Sequence, residues 1–220
     1  MLKLSGRGNL AAILLIATVA AALSLGVGTA FAGDNNVTEG QILKALTPPA
    51  KPLTRGLSVG PQVDPAKVAA QSAFLKKIRN RATRSLTTND REDIATFTAD
   101  KPNIDLEINF DYNSADISDR SMPSVEALGK ALTDPALKGS TFVVAGYTDA
   151  AGGESYNQDL SERRADSIKR FLVDKYGIVA GDLVTVGYGK TKLKDPSQPM
   201  SEANRRVQVV NMENKETASK

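Results

Sequence analysis

The 220-residue sequence contains no cysteine and no histidine. Without cysteine there is no thiol nucleophile, no disulfide and no attachment point for a lipoprotein anchor. Without histidine as well, the usual zinc ligands and an imidazole base are missing, which removes most hydrolase mechanisms. We therefore expect no metal, no cofactor and no catalytic residue.

A strong excess of charge of either sign is also missing. The sequence has 28 Lys and Arg residues against 25 Asp and Glu residues. Two of the 28, Lys3 and Arg7, lie in a leader, which leaves 26 basic residues against 25 acidic ones. Because nucleic-acid-binding proteins usually carry a clear excess of positive charge, we do not expect nucleic acid as a partner.

The leader is an uncharged stretch over residues 9–32, preceded by Lys3 and Arg7 and ending with Ala30 and Ala32. A short positive region, an apolar region and an A-x-A site are typical of a signal peptide. We predict a signal peptide over residues 1–32, cleaved after Ala32. The alternative is an uncleaved membrane anchor, since the stretch is long enough to span a bilayer. Both place the rest of the chain outside the cytoplasm.

Residues 33–100 are expected to form an N-terminal tether with short helices, because several prolines interrupt its first part. One helix is predicted at Thr38 and Gln41, which form a capping box, and another at Asn89 with Glu92.

A further helix of this tether is predicted from Asp64 as cap, with Pro65 in its first turn. It is expected to carry a run of basic residues: Lys76, Lys77, Arg79, Arg81 and Arg84. This run can rest on an anionic surface or face water. We favour the second interpretation, since charge runs on helices usually face water.

Residues 101–215 alternate strand and helix patterns, and residues 216–220 form a tail. Apolar and polar residues alternate over residues 104–111, which predicts a strand with one buried face. Further strands are predicted at residues 141–146, 183–186 and 206–212, with helices beginning at Pro123 and spanning residues 155–176, the latter ended by Gly177. This order predicts a two-layer α/β domain.

The candidate site begins where the strand over residues 141–146 ends. Asp149 follows this strand and precedes the long helix, a position where α/β sheets commonly bind ligands. On the helix, the phase places Arg164 on the apolar stripe and Arg163 on the opposite side. A guanidinium on a buried stripe needs a carboxylate or a ligand.

Asn157 lies two turns before Arg164 on the same helix face, so Asp149, Asn157 and Arg164 can converge on one cleft. On spacing alone, a ligand site and an internal ion pair between Asp149 and Arg164 remain equally open. Arg205 and Arg206, at the start of the last strand, are by themselves typical of a solvated strand edge.

Four ordered motifs resemble those of the OmpA-like, peptidoglycan-associated domain family. They are Phe-Asp-Tyr-Asn-Ser-Ala at 110–115, Gly-Tyr-Thr-Asp at 146–149, Asn157 with Leu-Ser-Glu-Arg-Arg-Ala at 160–165, and Asn-Arg-Arg-Val at 204–207. The resemblance covers about residues 106–212. It implies a small mixed sheet covered by helices, here preceded by a partly helical N-terminal segment.

The resemblance implies non-catalytic binding of peptidoglycan at the diaminopimelate residue of its stem peptide, whose side chain ends in an ammonium and a carboxylate. By position, Asp149 would pair with the ammonium and Arg164 with the carboxylate. The remaining implied site residues are Thr148, Asn157, Leu160 and one of Arg205 or Arg206, with the choice between the two arginines open. Tyr147 stands where many relatives carry histidine and receives no role.

The resemblance also implies an envelope protein of the periplasm, associated with the cell wall at the outer membrane. Residues 33–100 are too short for the eight-stranded membrane barrel of some relatives, so membrane association is expected to be indirect or through the leader. An envelope protein partner is left open.

Two alternatives to this function remain. The first is an inner-membrane-anchored cell-wall-binding protein with an uncleaved leader. The second is a cell-wall hydrolase, in which Asp149 with Glu154 or Asp111 supplies paired carboxylates. The hydrolase is disfavoured, because Asp149 would already be committed to an ammonium.

Overall fold

The structure, a computed structural model, describes residues 37–48, 65–110 and 114–212. The leader with its cleavage site, the cap at Asp64, the carboxylate of Asp111 and the tail at 216–220 lie outside the described residues. Within the described ranges, no helix combines the length and the hydropathy needed to cross a bilayer.

Four strands form one mixed sheet in the order β1-β4-β2-β3. Strand β1 spans Asn103–Leu106, β2 spans Phe142–Gly146, β3 spans Leu183–Gly187 and β4 spans Val207–Asn211. Strands β2 and β3 run parallel, whereas β4 is antiparallel to both β1 and β2. The predicted α/β fold, a small mixed sheet covered by helices, is confirmed.

One face of the sheet packs against α1 (Glu39–Leu46), α4 (Met122–Thr133) and α5 (Glu154–Tyr176). The predicted capping box of α1 is present, and Gly177 ends α5 in the left-handed conformation at φ 64°. Helix α1 buries Ile42 and Leu46 in this core, each worth about 1.5–3 kcal/mol of transfer free energy. The side-chain amide of Asn211 also donates to the Leu46 carbonyl at 3.0 Å.

The opposite face of the sheet packs against α2 (Pro65–Ile78) and α3 (Thr88–Thr98). Because successive strand residues point to opposite faces, Val143 lies in this second core and Val144 in the first. The domain limits read from the sequence stay predictions. The helices described within residues 37–98 nevertheless contribute side chains to both cores.

Several predicted boundaries are wrong. Helix α2 ends at Ile78, so Arg79, Arg81 and Arg84 lie beyond it rather than on its surface. The cap of α3 is Thr87, which forms a capping box with Asp90, rather than the predicted pair of Asn89 and Glu92. The side chain of Asp90 there accepts two bonds from Thr87, and these contacts hold the pKa of its carboxyl well below the ordinary range.

Strand β1 is shorter than the alternation over residues 104–111 predicts. Its last pairing joins Leu106 to Val207, the first residue of β4. Beyond this point there is no strand residue for β1 to pair with in β4. Ile108 is still buried, and Phe110 pairs only through an isolated bridge to Ile117.

Two paired glycines bring α5 close to the sheet. Gly146 of β2 and Gly187 of β3 are register partners. A Cβ atom at Gly146 would lie 2.3 Å from the Ser161 carbonyl oxygen, and one at Gly187 would lie 2.5 Å from the Ser161 hydroxyl oxygen. No side chain fits at these distances, so glycine is required for this approach of the helix to the strand ends.

Candidate ligand-binding site

Asp149 lies three residues beyond β2, at the end of the sheet that faces the start of α5. Its side chain is 16% exposed, and its Oδ2 atom accepts a hydrogen bond from Arg205 Nη1 at 2.9 Å. Its Oδ1 atom accepts from the backbone N–H of Ala151 at 3.0 Å. The carboxylate is therefore held in one orientation while part of it remains accessible.

Arg164 is the second charged group of the site and is half-buried on α5. Its Nε atom donates to the Ser114 carbonyl at 3.3 Å, and its Cζ atom lies 4.7 Å from the centroid of the Phe110 ring. Burial lowers the pKa of the guanidinium below its ordinary value of 12.5, with Tyr156 and Asp149 opposing this shift and Arg205 adding to it. The protein therefore compensates the desolvation of this cation only in part.

The alternative of an internal ion pair between Asp149 and Arg164 is not observed in the described part of the chain, where no carboxylate lies within 4.0 Å of Arg164. Asp149 is paired with Arg205 instead. Arg163 pairs with Asp159 at 2.8 Å, one helical turn away. The two neighbouring arginines of α5 thus have different partners, as their helical phase predicts.

Arg205 and Arg206 have different partners. Arg205 binds Asp149 and, through Nη2, the Glu202 carboxylate at 2.7 Å. Arg206 is only 8% exposed and stacks on the Tyr147 ring, with its Cζ atom 3.7 Å from the ring centroid. The sequence left open which arginine adjoins the site, and the structure places Arg205 beside Asp149.

Thr148, Asn157 and Leu160 are all buried beneath the Asp149 turn. The Thr148 hydroxyl donates to the Asp149 carbonyl at 2.9 Å, and the Asn157 side-chain amide donates to the Ala151 carbonyl at 2.6 Å. The two polar side chains therefore fix the backbone around Asp149. Their proposed role in lining the cleft stays a prediction.

Asn204 is a positioning residue that the sequence reasoning missed. It is fully buried, and its side-chain amide donates to the carbonyls of Gln198 at 2.9 Å and Pro199 at 3.2 Å. The Pro199 carbonyl in turn accepts from the backbone N–H of Ala150 at 2.9 Å. Asn204 thus holds the loop before β4 against the Asp149 turn. Its place at the head of the Asn-Arg-Arg-Val motif was the available signal.

On the opposite face, Arg206, Tyr147 and Asp105 form a buried cluster. Tyr147 stacks on Tyr188 with ring centroids 5.3 Å apart. The Nε atom of Arg206 lies 3.4 Å from Asp105 Oδ1, yet Nε and Nη1 have no hydrogen-bond partner among the described residues. Burial raises the pKa of Tyr147 to about 12, with Arg206 opposing the shift and Asp105 adding to it. This cluster is built for packing rather than for access.

The structure is thus a small α/β domain with a partly accessible pair of opposite charges, Asp149 and Arg205, near the end of β2. Residues 109–206 match the model of the OmpA family.

Curated relatives match the same half of the chain. Outer membrane porin F of Pseudomonas aeruginosa is 32% identical over 108 residues, which cover 48% of this chain and 30% of that protein. Outer membrane protein A of Klebsiella pneumoniae is 39% identical over 82 residues, which cover 37% of this chain and 24% of that protein. The chain thus spans less than a third of the length of these relatives.

Solved structures with a similar fold include the peptidoglycan-associated lipoprotein from Burkholderia pseudomallei, at 24% identity and a TM-score of 0.40 over 47% of this chain and 86% of that chain. Another is the cell wall anchor of the T6SS from Pseudomonas aeruginosa, at 24% identity and a TM-score of 0.42 over 61% of this chain and 99% of that chain.

Proposed function

We propose that this chain binds the stem peptides of peptidoglycan at diaminopimelate, without chemical change, and links the envelope to the cell wall in the periplasm. The match to the OmpA family model supports a role in the bacterial envelope, as do relatives that are named outer membrane proteins. The motifs shared with the peptidoglycan-associated domains support the ligand class. Residues 101–215 would form the binding domain, with residues 33–100 preceding it.

The main observation behind this proposal is that Asp149 and Arg164 do not form a salt bridge with each other. Asp149 follows β2 and Arg164 lies on α5. The two groups are close enough for Asp149 to affect the pKa of Arg164, yet no salt bridge joins them. A ligand that bears an ammonium and a carboxylate at fixed separation can bridge them with two charge-assisted hydrogen bonds. The side chain of diaminopimelate ends in these two groups.

Each charge is suited to its proposed partner. The Asp149 carboxylate already accepts one bond at each oxygen, and each oxygen can accept another, which leaves room for an ammonium. Arg164 is partly desolvated and contacts only a carbonyl and a ring among the described residues, so an incoming carboxylate would restore the interaction that burial removes. Arg205 would orient Asp149 from the side.

The proposal is tested by titrating the full chain with two stem peptides that differ at one residue. One peptide contains diaminopimelate, and the other contains lysine, which keeps the ammonium and lacks the carboxylate. Losing one member of a buried charge-assisted contact costs about 2–5 kcal/mol, so the lysine peptide should bind at least about thirtyfold more weakly. In Arg164→Ala the difference between the two peptides should vanish.

Equal affinity of the parent for both peptides would contradict the diaminopimelate assignment. Failure to bind either peptide or purified sacculi would contradict peptidoglycan binding itself. Since no chemistry is proposed, sacculi incubated with the protein should release no soluble fragments, and their release would favour the hydrolase alternative.

A further inference from the structure

A second concave surface, here called the basic groove, lies between α5 and the short 3-10 turn Thr83–Ser85. It encloses about 750 Å³. Five cationic side chains line it, against three carboxylates, so it has an excess of two positive charges. The five cations are Arg81, Arg84, Arg163, Lys169 and Arg170. Two of them come from the N-terminal segment and three from the part of the chain that matches the OmpA family model.

Three of these cations, Arg84, Lys169 and Arg170, have no ion pair among the described residues. Lys169 donates instead to the Leu183 carbonyl at 2.7 Å. Arg81 pairs with Asp90 at 3.0 Å, and Arg163 pairs with Asp159 at 2.8 Å. Arg84 and Arg170 are both exposed, and among the described residues neither has a carboxylate within 4.0 Å. The guanidinium of Arg170 donates a hydrogen bond to the Ser167 hydroxyl at 3.0 Å. Arg84 and Arg170 are therefore available to an anionic ligand.

The basic groove adjoins the Arg164 side of the candidate site. Residues 114–116 line its edge, and the Ser114 carbonyl is the acceptor for Arg164 Nε at 3.3 Å. A ligand whose carboxylate lies on Arg164 thus has the basic groove as a neighbouring surface.

We propose that the basic groove is an extended subsite for carboxylates of the stem peptide other than that of the diaminopimelate side chain. This inference rests on the proposed function. The rest of a stem peptide carries free carboxylates, including its C-terminus, together with peptide groups that donate hydrogen bonds. The three carboxylates of the groove, Asp116, Asp166 and Asp174, suit such a mixed ligand better than a polyphosphate, whose dense negative charge they would repel.

Part of the basic run in the N-terminal segment belongs to the basic groove. The sequence favours a helix face exposed to water, but Arg81 and Arg84 lie beyond α2 and face α5 across the basic groove. The N-terminal segment therefore contributes directly to the proposed binding surface, rather than only preceding the domain.

The test compares a short and a long ligand on the full chain. The double variant Arg84→Gln with Arg170→Gln should bind free diaminopimelate like the parent. Its affinity for a complete diaminopimelate pentapeptide should fall about fivefold, since each partly exposed ion pair contributes modestly. The charge-keeping variant Arg84→Lys with Arg170→Lys should retain most of the affinity. The matched control is Lys76→Gln with Lys138→Gln, which removes the same charge outside the basic groove.

Three outcomes would overturn the inference. The first is parental affinity of the Arg84→Gln, Arg170→Gln variant for the pentapeptide. The second is an equal loss of pentapeptide affinity in the Lys76→Gln, Lys138→Gln control. This result would show that the effect depends only on the net charge of the protein. The third is that the Arg84→Gln, Arg170→Gln variant keeps its pentapeptide affinity but no longer binds phosphatidylglycerol vesicles. This result would indicate that the basic groove binds a lipid surface. Failure of the proposed function is distinguishable, because the parent itself would then not bind free diaminopimelate.

Discussion

An aspartate lies beside an arginine at the open end of β2 and again on the face of the sheet that packs against α2 and α3, in different surroundings. Asp149 and Arg205 meet at the open end of β2, where Arg205 is about one-third exposed, at 32%. Asp105 and Arg206 meet on that face, where Arg206 is almost fully covered and stacks on Tyr147. The same pair of residue types is thus accessible to a ligand where solvent reaches it and is part of the packing where an aromatic ring covers it.

The largest expected effect is on binding at the open face. Replacing Asp149 or Arg164 with alanine removes half of the proposed clamp, so affinity for a diaminopimelate peptide should fall by about 2–5 kcal/mol, at least about thirtyfold. Titration calorimetry measures the loss, and circular dichroism checks that each variant is folded. Arg163→Ala is the charge-matched control. Because Arg163 lines the basic groove, this control is measured with free diaminopimelate, whose affinity should change little. A damaging Arg163→Ala, or parental binding by both other variants, would refute the site assignment.

On the covered face, the expected effect is on stability. Arg206→Ala removes the side chain that covers Tyr147 and should lower the free energy of unfolding by about 2 kcal/mol. Arg206→Met keeps the packed length and removes two buried nitrogen atoms, Nε and Nη1, that have no hydrogen-bond partner among the described residues. This variant should therefore be as stable as the parent or more stable. Urea denaturation gives the free energy of unfolding of the Arg206→Ala and Arg206→Met variants. Equal destabilisation by both substitutions would show that the charge itself stabilises this face.

Alkaline pH should lower the free energy of unfolding, because the buried phenol of Tyr147 then ionises. Its pKa is raised from 10.0 to about 12, so the folded state favours the neutral phenol. The resulting stabilisation, of order 2 kcal/mol, is complete below about pH 10 and is lost as pH rises through about 12. Urea unfolding across this range should show a steeper decline for the parent than for Tyr147→Phe. Parallel declines would mean that Tyr147 is not the group responsible.

The smallest expected effect concerns Arg205, which orients Asp149 from a partly exposed position. In Arg205→Ala the carboxylate keeps its bond from Ala151, so affinity for the diaminopimelate peptide should fall only by about 1 kcal/mol, or about fivefold. Glu202→Gln, which weakens the other contact of Arg205, serves as the comparison. A loss as large as that of Arg164→Ala would instead indicate that Arg205 touches the ligand.

Much of the α/β domain could be predicted because local patterns decide it. The phase of α5 and the left-handed position of Gly177 are properties of a single helix. The length of β1 was not predictable in this way. Its alternation continues past Leu106, but a strand also needs a partner, and β4 provides none before Val207.

The site was predicted less completely, because its contacts depend on distant segments. Asp149 at a strand end follows from local pattern, whereas its pairing with Arg205 depends on the loop that Asn204 holds in place. The choice between Arg205 and Arg206 was open for a related reason. Strand β4 carries buried valines on both faces, so its sequence does not indicate which face a flanking arginine occupies.

The glycine pair at the ends of β2 and β3 has a consequence for selectivity. Gly146 and Gly187 allow α5 to approach the sheet, and this approach contributes to the separation between the charge carried by the helix and the charge that follows the strand. A zwitterion is recognised through the distance between its two poles as much as through their signs. Under the proposed function, the absence of side chains at Gly146 and Gly187 would thereby help to set the length of the amino-acid side chain that fits between the two charges.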